Sequence, residues 1–379
     1  MNFNAPLLRS LRILLFPFSL VYGVAVWFRN RLFNQRILKS TSFNLPVICV
    51  GNLAVGGTGK SPMVELLVKH LYKNIEVAVL SRGYKRKTRG YALAEANTTA
   101  LEIGDEPMQF HTKFPGVSIA VGEERIVAIP QLLHDRPGTK VIILDDAFQH
   151  RTVKAGLNIL LTDCNNLFTR DWFLPTGDLR DEKSSYRRAE IIVVTKCPVN
   201  LSVEDKNAIT AEIRPLAHQH VFFSAIKYGK PYHIISRQEI VLNDTMEVLL
   251  VTGIANPAPL KKYLQETARV YYEILYSDHH IFSIDDWKDQ VKRFNSIQAK
   301  QKIILTTEKD AVRLIKFTQE LNNYPVYVMP IEVQFLFNEQ QQFTDLITTF
   351  ITGFHSSANG GNRSAVINDL KTINEQKTQ

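Results

Sequence analysis

A mostly parallel β-sheet covered by helices on both faces, followed by a second and smaller α/β unit, is the fold this chain predicts. Three observations carry the prediction. From residue 46 onward, short apolar runs alternate with helical stretches, the pattern of a sheet buried on both sides. A glycine-rich loop follows the first of these runs and opens a helix. The alternation weakens over 226–246 and then resumes. A length of 379 residues suits two domains. A composition of 45% hydrophobic and 22% charged residues excludes wholesale disorder.

Within the first unit, residues 46–51 (PVICVG), 76–81, 117–121, 141–144, 157–161 and 190–195 read as buried strands, and 63–72 as a helix. Residues 226–246 read as a linker, with room for short paired strands. In the second unit, 248–252, 270–276, 302–305 and 326–329 read as strands. Residues 259–267 and 285–296 read as helices, the latter capped by an aspartate. The expected divisions are an anchoring helix over 1–40, a core over 41–228, a linker over 229–246, a smaller α/β unit over 247–355, and a disordered polar tail over 356–379.

The net charge of +8 is uneven, because residues 1–40 hold six basic side chains and no acid. Those bases bracket the uncharged run 13–28, which ends in Ala25-Val26-Trp27-Phe28. The run falls about four residues short of the roughly 20 that cross a bilayer. An interfacial anchor is expected, with arginines on the headgroups and Trp27 and Tyr22 at the interface, rather than nucleic-acid binding. Cys49, Cys164 and Cys197 have neither metal-ligand nor redox spacing and read as free thiols.

The first strand runs into Asn52-Leu53-Ala54-Val55-Gly56-Gly57-Thr58-Gly59-Lys60-Ser61, and a helix follows. Strand, glycine loop and helix are the context of a phosphate-binding loop, so the fold class is P-loop NTPase-like. Backbone N–H groups from Ala54 to Ser61 would curl around the phosphates of ATP. Lys60 would reach the β- and γ-phosphates, and the Ser61 hydroxyl would ligate Mg²⁺. The run VIILDD, 141–146, describes a buried strand with an acidic end, and one of Asp145 and Asp146 is expected to hold the metal. Arg82, at a strand end, and Arg125 are further candidates for phosphate contact.

Together with this loop, Ser81-Arg82-Gly83-Tyr84, Gly104-Asp105-Glu106-Pro107, the stretch from Asp145 to His150, Leu174-Pro175 with Gly177 and Leu179-Arg180, Gly253-Ile254-Ala255-Asn256-Pro257, Asp278-His279 and Thr307-Glu308-Lys309-Asp310-Ala311 resemble the tetraacyldisaccharide 4′-kinases. The blocks stand in that family's order from about residue 46 to 315. Ala54 and Ala147 depart from its usual Thr and Gly. The resemblance implies ATP and Mg²⁺ as cofactors, a lipid A disaccharide precursor phosphorylated at its 4′-hydroxyl, and a monotopic enzyme on the cytoplasmic face of the inner membrane. It also implies that Asp105 is a general base paired with His279. Glu106 is expected to support the metal, Gln149 and His150 to contact substrate or phosphate, and the protein to act as a monomer. The rival reading is a membrane-associated partitioning ATPase, but its signature lysine would stand where this chain has Val55. A GTPase would need an aspartate where Pro198 stands.

Overall fold

The computed structural model describes residues 12–358. The extreme N-terminus and most of the expected disordered tail therefore lie outside the described residues. The larger sheet has nine strands in the order β14-β8-β7-β6-β1-β5-β2-β4-β3. Its centre is β1 (Val47–Asn52), flanked by β5 (Val141–Asp145) and β6 (Leu157–Asp163), with β2 (Val77–Ser81), β4 (Ser118–Val121) and β7 (Ile191–Thr195) outside them. All six run parallel. β3 (Ala92–Leu93) closes one edge antiparallel to β4. β8 (His220–Tyr228) extends the other edge parallel to β7.

Alternation along β1 divides the core in two. Ile48 and Val50 face one layer with Met63, Leu67, Ile143 and Phe110, whereas Val47 and Cys49 face the other with Ile142, Leu144, Phe148 and Ile129. A strand buried on both faces reads as an unbroken apolar run, which is why PVICVG and VIILD were legible.

The smaller sheet runs β11-β10-β12-β13-β9, from β10 (Glu247–Thr252), β11 (Val270–Leu275), β12 (Lys302–Thr307), β13 (Val326–Met329) and β9 (Tyr232–His233). It too is buried on both faces, by Phe282, Trp287 and Leu321 on one side and Leu260 and Leu264 on the other. Three expectations are corrected here. Residues 229–246 hold a short paired strand, as allowed for, with β9 antiparallel to β13, but they belong to this unit and do not merely link to it, since Ile234 is buried in its core. The chain does not stay in the second unit to 355. After β13, β14 (Ile331–Phe335) pairs with β8, and Phe343, Leu346 and Ile347 of the last helix, Gln340–Ala358, fill the first core. The N-cap of the helix Ile284–Ser296 is Ser283, whose hydroxyl accepts the Asp286 N–H, and the expected aspartate acts from inside the first turn, where the Asp286 carboxylate accepts the Ser283 N–H.

The N-terminal helix α1 (Phe16–Asn34) runs past residue 28. Its polar stripe turns inward: Ser19 and Asn30 are buried, and Arg12 pairs with Asp178 at 2.8 Å. Tyr22 donates its hydroxyl to the Arg180 carbonyl at 3.1 Å and Arg29 bonds the Gln149 carbonyl at 2.9 Å. Tyr22, Arg12 and Arg29 thus serve the protein's own surface, contrary to the interfacial roles expected of Tyr22 and of these two arginines. The opposite face leaves Phe18, Val21, Val24, Trp27 and Phe28 exposed by 54–71%. Trp172, 59% exposed, extends that face and meets Phe16 edge-on.

Candidate active site

The loop after β1 needs glycine at two turns. Gly56 and Gly59 adopt φ of 103° and 85°, the left-handed region that side chains resist. These turns deliver Lys60 and Ser61 to the first turn of α2 (Lys60–Leu71), where free N–H groups and the helix dipole favour an anion. Asn52 Nδ2 and Thr58 Oγ1 are buried beside the loop without a protein partner, polar atoms that a bound phosphate would satisfy. The loop is held from outside as well. Thr195 donates to the Thr58 carbonyl at 2.9 Å, and the Val55 N–H bonds Asp178 O at 2.8 Å.

Lys60 Nζ lies 3.3 Å from Asn52 Oδ1 and 3.8 Å from Asp146 Oδ1. Burial lowers its proton affinity, and Asp146 partly restores it. The two aspartates divide the acidic strand end. Asp145 is buried and accepts the Ser81 hydroxyl at 3.0 Å. Burial, then the charges of Glu106 and Asp146, push its carboxyl up. Asp146, at φ 49°, is held below the ordinary carboxylate range because Lys60 and Arg180 outweigh the effect of burial. Arg180 is a site residue to which sequence reasoning gave no role, although it stood in a recognised block. Its guanidinium pairs with Asp146 and donates to Asn52 Oδ1 at 2.6 Å.

From the other side, α3 (Asp105–Lys113) presents Asp105 and Glu106 in its first turn. His279 Nδ1, from the second unit, lies 2.9 Å from Asp105 Oδ2. The structure thus brings together two residues 174 positions apart. His279 sits at φ 62°, its N–H bonded to Gly253 O at 3.2 Å, and its ring meets Tyr84 edge-on at 5.9 Å. His280 points elsewhere, to Asp286 at 2.9 Å and against the Tyr276 ring.

Other expected site residues take different places. Arg125 is fully buried and bonds the carbonyls of Gly122 and Asp145, at 2.5 and 3.2 Å, so it braces the acidic strand end. Gln149 donates its side-chain amide to Asn52 O at 2.7 Å, bracing the end of β1. Glu106 carries an ion pair to Lys309 at 2.7 Å, and its charge also bears on Lys60 and Asp145. His150 is pushed down to about 4 by burial and by Arg125 and Arg82, and is therefore neutral near pH 7. Arg82 is exposed at the end of β2.

A phosphate loop, an acidic strand end and a carboxylate–imidazole pair converging on it define a P-loop phosphotransferase. The family profile described as tetraacyldisaccharide-1-P 4′-kinase, LpxK, matches residues 11–352, and the chain belongs to this family. It is 44% identical over 352 residues to the tetraacyldisaccharide 4′-kinase of Bacteroides thetaiotaomicron, covering 89% of this chain and 92% of that protein. It is 45% identical over 348 residues to that of Flavobacterium johnsoniae, covering 90% and 97%. The crystal structure of LpxK from Aquifex aeolicus in complex with ATP superposes with a TM-score of 0.70 at 27% identity, over 90% of this chain and 99% of that one.

Proposed function

We propose that this protein transfers the γ-phosphate of ATP to the 4′-hydroxyl of the tetraacyldisaccharide 1-phosphate precursor of lipid A, at the cytoplasmic surface of the inner membrane. Family membership supports the reaction, and the Aquifex aeolicus relative's complex with ATP supports the donor. The observation that carries the chemistry is the 2.9 Å contact of Asp105 with His279 beside the P-loop. Lys60 and the loop N–H groups hold the phosphates of ATP. His279, with its proton on Nδ1, donates to Asp105 and keeps it oriented. Asp105 then orients the acceptor hydroxyl and takes its proton late in a loose transition state.

Mg²⁺ fits the same place. Among the described residues no three His, Cys, Asp or Glu side chains form a metal cage. Magnesium in such sites takes one or two carboxylates and completes its shell with phosphates and water. Asp145, whose proton affinity is raised by burial and neighbouring acids, is a carboxylate short of positive charge. Ser61, Asp145 and Asp146 would hold the ion, which would neutralise charge developing on the transferred group. The exposed apolar face of α1 with Trp172 would lie in the membrane, bringing the lipid to the site.

The test is incubation of the protein with γ-labelled ATP, Mg²⁺ and tetraacyldisaccharide 1-phosphate in mixed micelles. Label should appear in a bis-phosphorylated glycolipid. Release of label only as inorganic phosphate would refute the kinase reading in favour of an ATPase.

A further inference from the structure

Asp105 receives more than His279. Arg313, on the helix α4 (Glu308–Leu314) of the second unit, brings its Nε within 3.5 Å of the same Asp105 oxygen, Oδ2. The arginine is 7% exposed and tied down at every nitrogen. Nη1 donates to the His280 carbonyl at 2.8 Å, Nη2 lies 3.0 Å from Asp310 Oδ1, and Nε also reaches the Lys309 carbonyl at 3.2 Å. Asp310 is fully buried. It takes the Thr252 hydroxyl at 2.8 Å, the Thr307 hydroxyl at 2.7 Å and the Gly253 N–H at 3.1 Å. Gly253 in turn offers its carbonyl to the His279 N–H. One buried carboxylate therefore fixes both partners of Asp105: His279 through Gly253, and Arg313 directly.

We propose that Arg313, seated on Asp310, is a positioning residue for phosphoryl transfer. It holds Asp105 Oδ2 in register with His279 and so leaves Oδ1 to the acceptor hydroxyl. The assignment rests on Asp105 acting as the base. Three features favour positioning over mere packing. A guanidinium fork has a fixed shape, so anchoring Nη1 on the His280 carbonyl, Nη2 on Asp310 and the Nε–H on the Lys309 carbonyl fixes where its charge stands, 3.5 Å from Asp105 Oδ2. Both contacts to Asp105 fall on one oxygen, so the His279 hydrogen bond and the fixed Arg313 charge favour the same rotamer. The contact crosses between the two units, so Asp105 is locked only when the second unit is seated against α3. A base displaced by about 1 Å from its productive position loses roughly 10²-fold in rate.

The experiment is a double-variant cycle on the full chain with ATP and the glycolipid acceptor. Arg313→Met alone should lower kcat by roughly 10–100-fold while the KM for ATP stays within about twofold. Asp105→Ala alone should lower kcat by more. In the Asp105→Ala background, Arg313→Met should cost less than about twofold, because there is no carboxylate left to orient. An equal loss in both backgrounds would overturn the positioning role while leaving the base intact. Near-normal turnover of Asp105→Ala would instead overturn the base reading on which it rests. If Arg313→Met does not fold, Arg313→Lys serves in the same cycle. It keeps a cation for Asp310 but lacks the fork, and should show the same dependence on Asp105 with an unchanged melting temperature. Full activity of Arg313→Lys would likewise overturn the proposal.

Discussion

Lys113 bridges the two units through two buried acids. Its Nζ lies 2.5 Å from Glu65 Oε2, on α2 behind the P-loop, and 2.6 Å from Glu308 Oε1, at the start of α4. Glu65 and Glu308 are 7% and 4% exposed, and Lys113 is 28% exposed. Gln109 donates to Glu65 at 2.7 Å, and no second cation is paired with either acid among the described residues. Lys113→Met would leave two buried carboxylates facing each other. Breaking a buried pair from one side costs about 3–5 kcal/mol. The chain has one escape, which is to protonate Glu65. Burial, and then the charge of Glu308, already push that carboxyl up to about 7 despite Lys113. An acid whose folded value is raised stabilises the fold fully below its unfolded value of about 4.5, and that contribution is lost as pH rises through about 7. Without Lys113 the value rises further. At pH 6 the variant carries Glu65 neutral and should lose only about 1–2 kcal/mol, whereas at pH 8.5 it should lose the full ~3–5 kcal/mol. Urea denaturation followed by tryptophan fluorescence at the two pH values measures this. Equal losses at both would refute the argument, as would restoration of nothing by adding Glu65→Gln.

Three further outcomes follow from the site. Lys60→Ala should lower kcat by about 10²–10³ without loss of fold, since the side chain sits at a phosphate cradle, and thermal melts with steady-state kinetics check both halves. Asp146→Asn removes the partner of Lys60 and Arg180, so it should raise the Mg²⁺ concentration needed for half-maximal rate, whereas a change confined to the glycolipid KM would contradict the placement. Asp105→Ala and His279→Ala should each cost roughly 10²–10⁴ or less in rate, and the double variant should cost far less than their product. Multiplicative losses would separate the two residues.

Much of this site was legible because its parts are local. A glycine loop between a buried strand and a helix, or two acids at a strand end, carry their chemistry in consecutive residues such as Gly56 to Ser61 and Asp145-Asp146. The pairing of Asp105 with His279 came only through the family resemblance, because nothing in the spacing of residues 174 apart indicates contact. The burial of Arg125 was not legible. It is set by the helix Arg125–Asp135 packing on the sheet, which sends its donors to backbone carbonyls. The domain boundary failed similarly. The strand Ile331–Phe335 looks like any other continuation of the second unit, and only the antiparallel pairing with β8 shows that the chain returns.

Although the phosphate loop starts only after residue 50, contacts tie the apolar helix to it. Ser19 bonds Thr176 and the Phe173 carbonyl at 2.7 and 3.0 Å, and Asn30 bonds Asp181 and Glu182 at 2.8 and 2.7 Å. A Cβ on Gly23 would stand 2.9 Å from the Phe173 ring, so the helix lies flush against this segment. The same segment is laced to the P-loop, with Arg180 N–H on Leu53 O and Val55 N–H on Asp178 O, both at 2.8 Å. It also carries Arg180 itself to Asp146 and Asn52. Removing residues 1–34 would strip the buried polar partners from a loop that shapes the phosphate cradle. Each such lost partner costs about 1–3 kcal/mol, and transmission of even 1–2 kcal/mol to the cradle weakens ATP binding roughly 5–30-fold. Asn30→Ala isolates the effect, because it leaves the apolar face intact. That variant should still pellet with vesicles yet bind ATP several-fold more weakly, as measured by calorimetry. If both the truncated protein and Asn30→Ala bind ATP like the full chain, the helix is an anchor alone and the 171–182 segment holds its shape without it.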